Sequence, residues 1–304
     1  MFDRRTVLGL ALGAVAFTTG AAVAKDWKAE YPEIVFGKIP DENASGTTDR
    51  YEPFMAFLSK ELGTKVTLRI AQDYAAVIEG QRARQIHIGY YGPASYARAV
   101  MVGAKIEPVA IEVNADGTKG YHSVFYVKKD SPYQKIEDLK GKNIGLVDPN
   151  STSGNNVPRF ALAKMGIEPE AYFSKVVYTG SHENAVIALG QGTVDVAANW
   201  WNDESESMLK RMERKGMAKY DDYRIIFKSE QIVNSPIAML SDMPEDLKKA
   251  ISDAILSFPA KEPEAFKKMT DGKQLPWVAV THDAYKPVMD LNKFVDDLRK
   301  KKAS

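Results

Sequence analysis

The chain has 304 residues, of which 44% are hydrophobic and 27% are charged, a composition typical of a globular protein with one large domain or two of medium size. Its 41 Lys and Arg residues and 40 Asp and Glu residues nearly cancel, so neither a nucleic-acid surface nor a polybasic membrane patch is indicated. The sequence contains no cysteine, which excludes disulfides, thiolate catalysis and cysteine-ligated zinc, and its four histidines show no metal-binding spacing.

The N-terminus has the three parts of a secretory signal. Arg4 and Arg5 precede an apolar run at 7–17, and small residues at 22–24 supply a cleavage site of the A-x-A type. An uncleaved anchor is the alternative, but the run is short for a membrane span of about 20 residues. We therefore predict cleavage after Ala24, with export by the general or the twin-arginine route. Because lipid attachment needs a cysteine at the cleavage point, we expect the mature protein to be free in the periplasm.

Beyond the signal, short β-branched runs alternate with helical patterns. The strands are predicted at 34–36, 66–70, 86–89, 106–113, 120–129, 143–147 and 235–240. The helices are predicted at 49–62, 74–84, 93–102, 155–165, 244–258 and 282–300. This alternation predicts an α/β fold with largely parallel sheets.

A helix-turn-strand unit occurs twice with nearly the same spacing, at 74–89 and 184–197. The repeat favours two similar lobes, although any βαβ unit gives a comparable pattern. The stretches at 120–129 and 235–240 are candidates for strands that cross between the lobes, with a ligand cleft between them. The predicted division is a signal peptide at 1–24, a discontinuous first lobe at 25–127 plus 233–304, and a second lobe at 128–232.

The sharpest local feature is the segment DPNSTSG at 148–154, between a predicted strand and an apolar helix. Ser151, Thr152 and Ser153 open that helix, where the first backbone N–H groups lack intrahelical partners and the helix dipole favours an anion. Their hydroxyls add donors without charge, so neutral groups alone can hold a tetrahedral oxyanion. A simple helix cap is the alternative role of the same residues.

Other candidates lie at the ends of predicted elements. Tyr74 and His182 begin helices at related positions of the two repeat units, and Tyr121 begins the first candidate crossing strand. Asn202 and Asp203 follow the strand of the second unit, where polar groups are well placed to line a pocket. Packing or helix capping is the alternative role for each of them.

Six stretches together make the chain resemble the phosphonate-binding proteins of ABC importers over roughly residues 33–260. They are DYAAVIEGQR (73–82), YYGPASY (90–96), ADGTKGYHSVFYVKKDSP (115–132), DPNSTSG (148–154), GSHENA (180–185) and VDVAANW (194–200). The resemblance implies a type II periplasmic binding protein, with two Rossmann-like lobes joined by two crossing strands that close on the ligand. It also implies an ABC permease and ATPase as partners, a monomeric state, and no cofactor, metal or nucleic acid.

In that family, hydroxyls and amides of the STSG turn, the tyrosine of DY and the histidine of GxH hold the phosphonate oxygens, and the tyrosine of GY lies beside the ligand. By motif, these positions are Ser151, Thr152, Ser153, Tyr74, His182 and Tyr121 here. One departure concerns the substituent on phosphorus. The 2-aminoethylphosphonate binders place acids for the ammonium group at positions that fall on Asn202 and Ser235, with Asp203 available after a one-residue shift.

The expected ligand is therefore a phosphonate such as 2-aminoethylphosphonate, with phosphite or a simple alkylphosphonate as the alternative. A periplasmic phosphoester or phosphonate hydrolase is the alternative from another class of function. The sequence offers no metal cluster and no nucleophile motif for it, so we expect a binding protein rather than an enzyme.

Overall fold

The computed structural model describes residues 27–303, so the predicted signal peptide at 1–24 lies outside the described residues. The strands are β1 (Glu33–Lys38), β2 (Lys65–Ile70), β3 (Ile88–Tyr90), β4 (Ile106–Asn114), β5 (Gly120–Lys128), β6 (Asn143–Leu146), β7 (Lys175–Tyr178), β8 (Val196–Asp203), β9 (Glu206–Ser207), β10 (Tyr223–Lys228), β11 (Ile232–Val233), β12 (Pro236–Leu240) and β13 (Gln274–Ala279). The helices are α1 (Trp27–Glu30), α2 (Ala44–Leu62), α3 (Tyr74–Arg82), α4 (Pro93–Met101), α5 (Val157–Lys164), α6 (Pro169–Tyr172), α7 (His182–Gly190), α8 (Met208–Arg214), α9 (Glu245–Lys261), α10 (Pro263–Met269) and α11 (Lys286–Ala303). None of the helices in this range is long and apolar enough to span a membrane.

The strands form two sheets with helices packed on them, as an α/β fold requires. The first sheet has the order β13-β4-β12-β3-β1-β2, and the second has the order β10-β5-β8-β6-β7, with β9 and β11 pairing to β8 and β5. The pairs of β1 with β2 and β3, and of β6 with β7 and β8, are parallel. The pairs that involve β5 and β12 are antiparallel.

The expectation of largely parallel sheets is therefore wrong, because both sheets are mixed. The physical reason lies in how the chain passes between the sheets. The carboxyl ends of β4 and β8 lie at the cleft, whereas β5 and β12 begin there, after the chain has crossed from the other sheet. A strand that starts at the cleft runs away from it and is antiparallel to neighbours that end there.

The crossing segments differ from the predicted ones. The strand β5 pairs along its length with β8 and β10, so it lies wholly in the second sheet and not at a boundary near residue 127. The chain passes between the sheets at 115–119 and again at Asn234 and Ser235. We propose lobe 1 as 27–114 plus 236–303 and lobe 2 as 120–233.

The last helix, α11, lies against both lobes. The Asn292 side chain donates a hydrogen bond to the Ala94 carbonyl of lobe 1 at 2.9 Å and accepts one from the Asn156 side chain of lobe 2 at 2.8 Å. The rings of Phe294 and Phe160 meet edge-to-face, with centroids 5.1 Å apart. Because α11 is part of lobe 1, separation of the lobes must break its contacts with Asn156 and Phe160 of lobe 2.

Candidate ligand site between the lobes

A cavity of about 90 Å³ lies between the two sheets, at the ends of the strands that meet the crossing segments. Pockets that hold drug-sized ligands measure about 300–1,000 Å³, so this cavity fits a ligand of only a few non-hydrogen atoms. Among the residues that line it are seven of the predicted site residues: Tyr74, Tyr121, Ser151, Thr152, Ser153, His182 and Asn202.

The STSG turn is shaped by local packing. Ser151 caps the segment that follows, since its Oγ accepts a hydrogen bond from the Gly154 amide at 3.1 Å. Residues 152–156 form one turn of π-helix before α5 begins at Val157, which is later than the predicted start at 155. A Cβ at Gly154 would lie 2.4 Å from Val147, so only glycine permits this approach. Single π turns often occur at functional sites, because they open the regular ladder of backbone bonds.

The hydroxyl groups of the turn face the cavity with their donors available. Thr152 Oγ1 accepts a hydrogen bond from the Ala94 amide of lobe 1 at 2.8 Å, which leaves its own proton free for a ligand. The Tyr74 and Tyr121 phenols line the same cavity as these hydroxyl groups. Burial raises the pKa of both phenols above its usual value, so both remain protonated donors. The arrangement therefore gathers neutral hydrogen-bond donors around one point.

The tautomer of His182 is fixed by Asn199. The Asn199 amide nitrogen donates to the His182 carbonyl at 2.9 Å and its Oδ1 accepts from the Trp200 amide at 2.9 Å, so Oδ1 is an acceptor. His182 Nδ1 lies 3.0 Å from that oxygen and therefore carries the hydrogen, assigned from this network. Nε2 lies 3.5 Å from Ser151 Oγ. Burial lowers the pKa of His182 to about 4, so the ring is neutral at pH 7.

We expect this histidine to make the stability of the free protein depend on pH. An unfolded His binds a proton below about pH 6.5, whereas folded His182 binds one only below about pH 4. Between these values the unfolded state holds more protons, so the free energy of unfolding falls as the pH falls. Urea unfolding at pH 7 and at pH 4.5 measures how much the free energy of unfolding drops between the two pH values. This drop should be about 2–3 kcal/mol smaller in His182→Gln than in the wild type. Equal losses in the two proteins would contradict the assignment, since all other titrating groups are shared.

Other residues that line the cavity carry side-chain amides and one carboxyl group. The Asn202 and Asn234 side chains both donate to Asn114 Oδ1, at 3.0 and 3.1 Å. Glu112, two residues before Asn114 on β4, and Ser235 line the cavity beside them. Residues in or next to both crossing segments are therefore hydrogen-bonded to each other beside the cavity.

Asp203 does not lie in the cavity, contrary to the sequence prediction. Its Oδ1 accepts hydrogen bonds from the amides of Ser205 at 2.6 Å and Glu206 at 3.0 Å, in the turn between β8 and β9. The alternation of side chains along β8 explains the difference, because Asn202 faces the cavity and its neighbour cannot. The cavity residue that sequence reasoning missed is Glu112, which follows the apolar run 108–111 near the end of β4.

Ion pairs connect the two lobes beside the cavity. We call this group the interlobe ion cluster: Glu42, Arg50 and Asp271 of lobe 1 with Glu206, Arg211, Arg214 and Lys215 of lobe 2. Glu42 is fully buried at its centre and pairs with Arg50, with Lys215 at 2.8 Å and with Arg211 at 3.7 Å. Burial alone would raise the pKa of Glu42, but the guanidiniums of Arg211 and Arg50 lower it and keep the group ionised. These contacts describe a closed arrangement of the lobes.

A known family accounts for most of the chain. The model of the family described as "ABC transporter, phosphonate, periplasmic substrate-binding protein" matches residues 36–285. The chain belongs to this family. Its members are periplasmic components of ABC transporters and not enzymes, which confirms the family and the class of function predicted from the sequence.

Individual relatives agree with this family. The chain is 34% identical over 233 residues to the phosphonates-binding periplasmic protein of Escherichia coli (strain K12), covering 75% of this chain and 67% of that protein. It is 32% identical over 218 residues to the phosphate-import protein PhnD of Mycolicibacterium smegmatis, covering 68% of this chain and 66% of that protein. The alignments thus span about two thirds of the length of these relatives.

Solved structures share the fold. A binding protein component of an ABC phosphonate transporter from Pseudomonas aeruginosa is 30% identical, with a TM-score of 0.79 and 88% coverage of both chains. PhnD1 from Prochlorococcus marinus, solved with methylphosphonate, is 21% identical, with a TM-score of 0.76 and coverage of 87% of this chain and 98% of that one. The predicted type II fold is therefore confirmed.

Proposed function

We propose that this periplasmic phosphonate-binding component holds the oxyanion of its ligand with the STSG turn and the groups around it. Ser151, Thr152 and Ser153 supply hydroxyl and amide donors, and Tyr74 and Tyr121 supply phenol donors. His182 contributes Nε2, which carries no hydrogen in the neutral ring and therefore accepts a hydrogen bond, either from a protonated oxygen of the ligand or from the Ser151 hydroxyl 3.5 Å away. Asn202 lines the same cavity. The cluster of neutral donors at one buried point is the observation that carries this proposal.

The physical basis is that a buried oxyanion needs hydrogen bonds to replace its water. Hydrogen bonds to charged groups contribute about 1.5–3 kcal/mol each, and several fixed donors together hold an anion without an opposing cation. The arginines that line the cavity, Arg50 and Arg211, are engaged in ion pairs with Glu42 and Glu206. The hydroxyl groups therefore remain the main donors for the ligand.

The ligand that we propose is a phosphonate such as 2-aminoethylphosphonate. The small cavity also suits phosphite or a simple alkylphosphonate, because neutral Asn202 and Ser235 line it where the family's aminophosphonate binders have acids. The relatives include a probable phosphite-binding protein, PhnD1 of Prochlorococcus marinus, with 28% identity over 185 residues. This alternative predicts that the amine of the ligand contributes nothing to affinity.

Calorimetric titration of the protein from residue 25 onward tests the proposal. The titrants are 2-aminoethylphosphonate, methylphosphonate, phosphite and phosphate, each under the same conditions. We expect one bound ligand per chain and a closed state in solution scattering when the ligand is present. Absence of binding by all four titrants would contradict the proposal.

We further propose that the protein acts as a monomer that delivers its ligand to an ABC permease and ATPase at the inner membrane. The interlobe ion cluster must open and reform during this cycle, which requires that the lobes move freely. The export signal would be removed after Ala24. The mass of the secreted chain and its elution volume test the cleavage site and the monomeric state.

A further inference from the structure

One carboxyl group in the cavity, that of Glu112, differs from the others in having no ion-pair partner among the described residues. Glu112 lies on β4, two residues before the strand ends at the cleft, and its side chain lines the cavity. The Tyr90 hydroxyl donates a hydrogen bond to its Oε1 at 2.9 Å, and Gln274 of β13 lines the same cavity. The hydrogen bond from a neutral phenol therefore holds this carboxyl group in place.

The other acids that line the cavity have cationic partners within the described residues. Asp41 pairs with Lys38, and Glu206 pairs with Arg211 and Arg214, so their charges are balanced inside the protein. Glu112 forms no ion pair with any described residue, although Lys273 lines the same cavity. Burial raises the pKa of the Glu112 carboxyl above its ordinary value, as expected for an acid without a partner.

An ionised carboxylate in a buried cavity is costly unless a cation reaches it. Tyr90 contacts Glu112 directly, and the rings of Tyr51 and Trp277 line the same cavity. The faces of such rings attract cations, as Lys38 demonstrates, since its ammonium lies 4.9 Å from the centre of the Tyr90 ring. The cavity around Glu112 therefore has the chemistry of a site for a small ammonium group.

We propose that Glu112 determines ligand specificity by binding a protonated amine on the substituent of the phosphonate. The inference rests on the proposed function, in which the STSG turn holds the oxyanion. The ligand class is an aminoalkylphosphonate short enough for a cavity of about 90 Å³. Tyr90 acts as a positioning residue that keeps the carboxylate aimed at the amine.

The test compares two ligands that differ only by the amine, 2-aminoethylphosphonate and ethylphosphonate, in calorimetric titrations of the wild type and Glu112→Gln. We expect the wild type to prefer the aminophosphonate at least tenfold. In Glu112→Gln, the Kd for the aminophosphonate should rise roughly 10- to 100-fold, in line with the loss of a charged hydrogen bond. The Kd for ethylphosphonate should stay within about threefold, which also shows that the variant is folded.

The matched control is Glu107→Gln, an acid on the same strand that pairs with Lys248 and does not line the cavity. It should leave both Kd values unchanged. Equal effects of Glu112→Gln on the two ligands, or a wild type with no preference, would overturn the role of Glu112 while leaving the proposed function intact. Failure of both ligands and of methylphosphonate to bind the wild type would overturn the proposed function itself.

A second variant applies if Glu112→Gln does not fold. Tyr90→Phe removes the phenol that donates to Glu112 and keeps the ring. It should weaken binding of the aminophosphonate several-fold more than binding of ethylphosphonate. Equal weakening of the two would likewise overturn the proposal.

Discussion

Replacing Ser151 and Thr152 together with alanine should raise the Kd for every phosphonate by a factor of about 10² to 10⁴. Each hydroxyl donates to a charged ligand in the proposed complex, and such bonds contribute about 1.5–3 kcal/mol each. Because the two residues are neighbours in one turn, the changes in binding free energy of the two single variants should not add up to the change in the double variant. Calorimetric titration of the wild type, both single variants and the double variant measures the effect.

The loss of affinity must be separated from a loss of folding. Ser151→Ala also removes the cap on the Gly154 amide, which should lower the free energy of unfolding by about 1 kcal/mol. Ser257→Ala is the matched control, because its hydroxyl bonds the Ala254 carbonyl on α9, away from the cavity. A folded double variant that binds within threefold of the wild type would disprove the placement of the oxyanion at this turn.

The second large effect is expected at Glu42, the centre of the interlobe ion cluster. Removing one partner of a buried ion pair costs about 3–5 kcal/mol, because charged groups remain buried without compensation. In Glu42→Gln, part of this cost falls on the closed state alone, since Arg211 and Lys215 belong to the other lobe. We expect the Kd to rise roughly 100-fold for aminophosphonate and alkylphosphonate alike, because Glu42 does not line the cavity.

A matched control is available within lobe 1. Asp296 of α11 makes two bonds to Arg98 of α4, at 2.6 and 2.7 Å, and this pair does not cross between the lobes. Asp296→Asn should therefore lower stability without changing the Kd by more than a few-fold. Solution scattering of the Glu42→Gln protein at saturating ligand should still show closure. Unchanged affinity in Glu42→Gln would mean that the cluster does not contribute to closing.

The oxyanion end of the site was accessible to sequence reasoning because its signals are local. Ser151, Thr152 and Ser153 are consecutive, and a run of hydroxyl residues at the start of a helix has few roles. Tyr74 and His182 also begin helices, so the sequence placed each of them at the end of an element. The structure brings these separately predicted positions to one cavity.

The rest of the site depends on long-range packing that no local pattern encodes. Glu42 and Lys215 are 173 residues apart in the chain, and nothing near either residue indicates the other. The strand pattern of β5 is the same whichever sheet it joins, which is why the sequence predicts a lobe boundary at 127 rather than before β5. The sequence predicts both Asn202 and Asp203 in the site, but neighbouring residues of a strand face opposite sides of the sheet, and only Asn202 lines the cavity.

The position of α11 across both lobes has a practical consequence for detecting the ligand. Leu298 on this helix is 36% exposed and lies beside Arg159 and Ile167 of lobe 2. Because the chain has no cysteine, a thiol introduced at Leu298 would be unique and would carry a single fluorophore. The surroundings of that dye change whenever the lobes separate, so α11 offers an attachment point for an optical sensor of the ligand in solution.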